Sequence, residues 1–158
     1  MKRNLVISLL ILVAMIIVTR WQGSDLVSPQ SPKGIIDLEF AKTDQKLLQL
    51  QFFWNHETVL QNIYLDFLFI LAYTWFLVTA CRAMNNSKSN LFSGLAISAA
   101  AFDVLENFLM ILVWNERFSP SVLQVVFYVA AIKFLLVIVV IGYLILSLFG
   151  LFKRESSV

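Results

Sequence analysis

Four long apolar runs constrain this chain more than any other feature. They cover residues 5–18, 59–80, 91–114 and 121–152, each bounded by polar or charged residues. A helix needs roughly 20 mostly apolar residues to cross the hydrocarbon core of a bilayer. Helices satisfy their own backbone there, which irregular chain cannot do. The expected fold is therefore all-α: an integral membrane four-helix bundle, one membrane domain over 1–158, with spans at about 4–20, 59–81, 91–114 and 121–150. Composition agrees, with 59% hydrophobic residues, 14% charged residues and a mean hydropathy of +0.81. Soluble domains lie nearer about half apolar and a quarter charged.

The first run follows Lys2 and Arg3, the layout of a signal peptide. No small-x-small cleavage site follows it; Thr19, Arg20, Trp21 and Gln22 come next. It reads as an uncleaved signal anchor with Trp21 in the interfacial belt. The last run exceeds the length a span needs, so it must tilt or project.

Between the first two spans lies a polar segment. Ser24, Ser28, Pro29, Ser31, Pro32 and Gly34 mark irregular chain. Ser31-Pro32 then has the form of a helix N-cap with proline in the first turn. From Ile35 to about Phe53 the apolar residues recur with helical spacing, against Asp37, Glu39, Lys42, Asp44 and Lys46. The expectation is an extra amphipathic helix within about 32–55, lying on the membrane or capping the bundle. Ser119-Pro120 repeats the N-cap pattern before the fourth span.

Orientation follows from the basic residues. With four spans, Lys2, Arg3, Arg82, Lys88, Lys153 and Arg154 fall on one side, with Glu155 the acid there. Asp25, Asp37, Glu39, Asp44, Glu57 and Glu116 fall on the other. Both termini are thus expected in the cytoplasm, with 22–58 outside, as in a bacterial inner membrane protein. The basic residues are accounted for by topology, so nucleic acid is not an expected partner.

Four ionisable residues interrupt the spans: Asp66, Asp103, Glu106 and Lys133. Each costs at least ~2.5–3.5 kcal/mol at a helix centre, and such residues pair, line water or do chemistry. At about 1.5 Å per residue, they lie roughly 10, 16, 12 and 18 Å from the outer ends of their spans. Three helices place charge at comparable depth, which predicts one shared site. Asp103, Glu106 and Asn107 are spaced i, i+3, i+4, on one helical face. Asp66 and Tyr73 share a face of the second span, and Ala99, Ala100 and Ala101 allow close helix approach. Three carboxylates against one lysine leave an excess of two negative charges. Protonation, a bound cation, or Arg20, Lys33, Arg117 or His56 reaching inward would offset it.

The sole cysteine, Cys81, and sole histidine, His56, exclude an intrachain disulfide and histidine-rich metal sites. No phosphate loop, nucleophile elbow, zinc-protease motif or dinucleotide fingerprint occurs, and no cofactor is expected. Cys81 reads as a small apolar residue at a helix end. Asp37, Glu39 and His56 are candidates for a lid over the polar site.

The string Gly34-Ile-Ile-Asp-Leu-Glu-Phe-Ala41, with Asp66-Phe67-Leu68-Phe69, Tyr73 and Asp103-Val-Leu-Glu-Asn107, resembles a family of small, uncharacterised four-span bacterial membrane proteins. The resemblance spans residues 34–133. It marks residues of interest and implies no activity.

The reading from sequence is a multi-pass membrane protein with an outward-facing polar pocket built from Asp66, Tyr73, Asp103, Glu106, Asn107 and Lys133. Such a pocket would bind or transport a small polar or lipid head-group ligand, coupled to a proton or cation. Two other readings stand beside it. One is a structural or assembly subunit, partnered by a membrane protein or by a second copy. The other is an intramembrane enzyme using Glu106 or Asp103 as general acid or base.

Overall fold

The computed structural model describes residues 2–115 and 120–150. Glu116, Arg117 and the Ser119 cap lie outside the described residues, as do Lys153, Arg154 and Glu155. The fold is all-α. Helix α1 (Lys2–Gln22) runs into a 3-10 turn at Gly23–Leu26. Two short helices follow, α2 (Ile36–Glu39) and α3 (Asp44–Phe53). Three long helices complete the chain: α4 (His56–Ala83), α5 (Ser89–Trp114) and α6 (Pro120–Leu148). Among the described residues, four helices are long and apolar enough to cross a membrane. The chain is a multi-pass membrane protein built as a four-helix bundle.

The helices pack in chain order, α1 along α4, α4 along α5 and α5 along α6. Helices α4 and α5 are the two inner members of this series, and the buried face of α5 shows how they pack. Ser89, Ser93, Ala96, Ala99, Asp103, Glu106, Asn107, Met110, Val113 and Trp114 recur at steps of three and four. Small residues occupy one half of this stripe, so the backbones approach closely where lipid gives no hydrophobic drive for association. Charged residues fill its middle, and large side chains fill the end nearest Trp114. On α6, Leu123, Val126, Ala130, Lys133, Val140 and Tyr143 form the matching stripe.

Helix α1 is different. Ser8 is buried, but Leu10, Ile17 and Trp21 are well exposed, as suits a helix whose other faces meet acyl chains. It is tied to α4 by Gln22. The Gln22 Nε2 donates to the Thr58 carbonyl at 3.0 Å, and Asn62 Nδ2 donates to Gln22 Oε1 at 2.6 Å.

The segment between α1 and α4 caps one end of the bundle. The continuous helix expected over 35–53 is broken between Phe40 and Thr43. Thr43 is extended, and its hydroxyl oxygen accepts from Lys46 N, starting α3 afresh. Ser31 is not a helix N-cap. Its hydroxyl instead donates to the Leu26 carbonyl at 2.8 Å and accepts from Trp54 Nε1 at 3.1 Å, closing a loop around the 3-10 turn. Leu26, Leu38, Leu47, Leu50 and Trp54 pack with Val59, Ile63, Met110, Val113, Trp114, Leu123 and Val126 in one buried apolar layer.

Helix α2 does not rest on top of this layer. It lies against α5 and α6, and the Phe40 ring sits 5.6 Å from that of Phe127 and 5.7 Å from that of Phe134. Those rings are about 10 and 21 Å along α6 from Pro120. Phe40 therefore reaches well below the end of the bundle. Its backbone is satisfied locally, Phe40 N donating to Ile36 O at 3.1 Å and Ala41 N to Leu38 O at 3.1 Å. That is what permits a chain excursion to such depth.

Candidate functional site

Lys133 is the centre of the buried charge. Its Nζ lies 2.7 Å from Glu106 Oε2, 3.1 Å from Asp103 Oδ1 and 3.3 Å from Glu39 Oε2. An ammonium has three donors. Two are directed at Asp103 and Glu39. The Glu106 contact is the shortest but lies outside hydrogen-bond geometry for either carboxylate oxygen. Asp103 bridges further, its Oδ2 accepting from Tyr73 OH at 2.9 Å. One residue past Glu106, Asn107 Nδ2 donates to Asp66 Oδ2 at 2.8 Å.

The local sequence explains the placement. Asp103, Glu106 and Asn107 occupy one face of α5, as their spacing requires. Ala130 is fully buried one turn before Lys133, so α6 comes close enough for the lysine to reach that face. Tyr73 and Asp66 present the matching groups from α4. The convergence of charge expected from depth and spacing is thus seen as a buried network, with Asp66 joined to it through Asn107, and the chain adds a member to it. Glu39, 7% exposed, enters the cluster from α2.

The other two lid candidates stay outside the cluster. Asp37 accepts from Lys33 N at 2.9 Å and serves its own turn. His56 is exposed at the start of α4, with its ring stacked on Trp114 at 6.0 Å. Arg20 and Lys33 are exposed, and among the described residues every ion pair is centred on Lys133. Cys81 is a buried free thiol.

Glu39, Asp66, Asp103 and Glu106 stand against one ammonium, a formal excess of three negative charges. Three acceptors here have no hydrogen-bond donor: Asn107 Oδ1 and both Glu106 oxygens, of which Oε2 meets Lys133 as an ion pair while Oε1 faces no donor at all. Turning the Asn107 amide over would set its oxygen against the Asp66 carboxylate, so its Oδ1 stays unsatisfied in either assignment. A buried acceptor without a donor costs roughly 1–3 kcal/mol, more for a charged group. The site is short of hydrogen-bond donors and of positive charge. Among the described residues no group of His, Cys, Asp and Glu has the arrangement of a metal site.

No open pocket is seen at Lys133 among the described residues: Lys133, Asp103, Glu106 and Glu39 are all buried. Shallow recesses occur elsewhere. One of about 260 Å³ is lined by Gln51, Trp54, His56, Trp114 and Asn115, none of them in the cluster.

A second polar network escapes a search for charge. At the opposite end of the bundle, Tyr143 OH donates to Asn86 Oδ1 at 2.9 Å and lies 3.2 Å from Ser89 Oγ. Phe92 stacks flat on Tyr143 with centroids 3.9 Å apart. Ser89 and Ser93 at i, i+4, with a tyrosine in an apolar span, were the available signal. Between the two networks lie Leu77, Ala96 and Val140, all buried.

No family model matches the chain, and no curated protein or solved structure matches it either.

Proposed function

We propose that the Lys133 cluster is a ligand site for a small polar group or lipid head-group that brings hydrogen-bond donors and positive charge, and that the protein binds or transports it. Helix α2 closes this site through Glu39. The observation that carries the reading is Glu106: a fully buried carboxylate with one oxygen facing no donor, amid a surplus of carboxylates. Such a group persists where something supplies the missing proton or cation. The orientation with 22–58 outside, and a bacterial inner membrane as the location, belong to the same proposal, supported by the placement of the basic residues.

Ligand-linked stability tests this directly. Purified protein is delipidated and heated with a panel of alkali cations, soluble amines, polyols and glycerophospholipids of each head-group class. A ligand of the folded state at 100 times its Kd stabilises by about 2.7 kcal/mol, a rise of several degrees. At least one member should raise the midpoint for the wild type and fail to do so for Glu106→Gln. No shift across the panel contradicts the proposal.

A second reading is favoured by one observation. Lys133 meets carboxylates from α2 and α5 while itself on α6, as a lock between helices would. If the cluster is only a lock, wild type and Glu106→Gln differ in stability but respond identically to every compound.

A further inference from the structure

The cluster is sealed along the bundle axis in both directions. Towards the capped end lie Leu26, Leu38, Leu47, Leu50, Trp54 and Trp114, none more than 6% exposed. Towards the other end lies the buried layer of Leu77, Ala96 and Val140. Sideways the covering is thinner. Lys133 Nζ lies 4.6 Å from the centroid of the Phe134 ring. Phe134 meets Phe40, and Phe40 and its neighbour Ile36, 37% and 36% exposed, lie at the surface.

The depth of this wall fixes what lies outside it. Helix α6 has 29 residues, about 43 Å at 1.5 Å each. A hydrocarbon core of about 30 Å centred on it begins about 7 Å from each end. The Phe40 ring lies between Phe127 and Phe134, about 15 Å along the axis. It is therefore about 8 Å inside the hydrocarbon. Lys42, two residues on, is exposed and holds its Nζ 3.9 Å over the Phe127 ring, nearer the end of α6. An apolar residue facing the acyl chains and a lysine turned towards the head-groups are what a lipid-facing element requires.

From this geometry we propose that the Lys133 site opens sideways into the bilayer, past Phe40 and Phe134, and that its ligand is an amphiphile with a primary ammonium head-group. The proposal rests on the cluster being a ligand site. A soluble solute would have to cross one of the two packed apolar layers. An amphiphile already in the leaflet passes one side chain pair and a four-residue helix. The ammonium follows from the chemistry inside: it donates to the orphaned Glu106 Oε1 and offsets the excess negative charge, which a hydroxyl cannot do. Opening requires α2 to release Glu39 from Lys133; Asp66, Asp103 and Glu106 still exceed Lys133 in charge, and the incoming ammonium offsets part of that remaining excess.

Two measurements on the full-length protein in lipid nanodiscs test it. The first places a bimane label at Phe40→Cys in a Cys81→Ser background. Acyl chains brominated at mid-chain should quench it and aqueous iodide should not. Quenching by iodide alone puts α2 in water and overturns the lateral route, whatever the ligand. The second extracts the protein from equimolar phosphatidylethanolamine and phosphatidylcholine and weighs the lipid it retains. A 1.4 kcal/mol preference is about tenfold, and wild type should retain the primary amine by that order. Glu106→Gln, or Asp103→Asn if that variant folds better, should lose the preference. Millimolar free ethanolamine should leave it unchanged. Equal retention of both lipids overturns the ammonium assignment; displacement by free ethanolamine overturns the amphiphile in favour of a soluble amine.

Discussion

Lys133 Nζ and Glu39 Oε2 lie 3.3 Å apart and join the middle of the last span to a four-residue helix 94 positions earlier in the chain. Neither residue is on the same element as Asp103 or Glu106, yet all four side chains meet. The cluster is thus a tertiary feature that exists only when α2, α5 and α6 are assembled.

Removing the lysine should be the most damaging single change in the cluster. Lys133→Met leaves three contacting carboxylates with no cation, and breaking a buried pair from one side costs roughly 3–5 kcal/mol. Glu39→Gln removes one of the surplus negative charges and should cost far less. Lys133→Met combined with Glu106→Gln should recover part of the loss. Denaturant unfolding in mixed micelles reads all three. Equal destabilisation by Lys133→Met and Glu39→Gln would contradict the charge excess.

Tyr73→Phe removes a neutral donor to Asp103. Hydrogen bonds to charged groups are worth roughly 1.5–3 kcal/mol, and a loss in that range is expected. In an Asp103→Asn background the same change should cost less. Undiminished cost there would show that the tyrosine acts through packing alone.

Much of this was legible in the sequence, and the limits have physical causes. Four apolar runs specify four long helices because nothing else satisfies a backbone in lipid. The i, i+3, i+4 spacing put Asp103, Glu106 and Asn107 on one face. Local periodicity could not place Glu39. In a continuous helix over 35–53 it stands two residues from Asp37, off that residue's face and with nothing to aim it at the bundle, but Thr43 restarts the helix and frees α2 to turn inward. Tyr73 and Asp66, grouped by their seven-residue spacing, instead take separate partners on α5. The Asn86–Ser89–Tyr143 network carries no charge, so no ionisable residue marks it in the sequence.

The attachment of α1 depends on the absence of a side chain at residue 23. A Cβ there would lie 2.8 Å from Asn62 Nδ2, the atom that donates to Gln22. Gly23→Ala should displace Asn62, break that bond and cost about 1 kcal/mol. Asn62→Ala should do the same without the added methyl. Cysteine cross-linking between α1 and α4 should fall in both variants; undiminished cross-linking would count against this anchor.

Orientation can be read by labelling. Gln45 in α3 and Ser87 between α4 and α5 are both exposed and lie at opposite ends of the bundle. In a Cys81→Ser background, a membrane-impermeant maleimide should label Gln45→Cys in intact cells and Ser87→Cys after permeabilisation. The reverse pattern would invert the topology.

The closure of the site by α2 is tested most directly by a double-mutant cycle on Glu39 and Lys133. Wild type, Glu39→Gln, Lys133→Met and the double variant are unfolded under one set of lipid and detergent conditions. Side chains in contact couple by about 0.5–3 kcal/mol, whereas independent sites add to within about 0.3–0.5 kcal/mol. A coupling of at least about 1 kcal/mol is expected for an ion pair buried on both sides. Additive effects would show that Glu39 does not hold Lys133, and the closed site would fall with it.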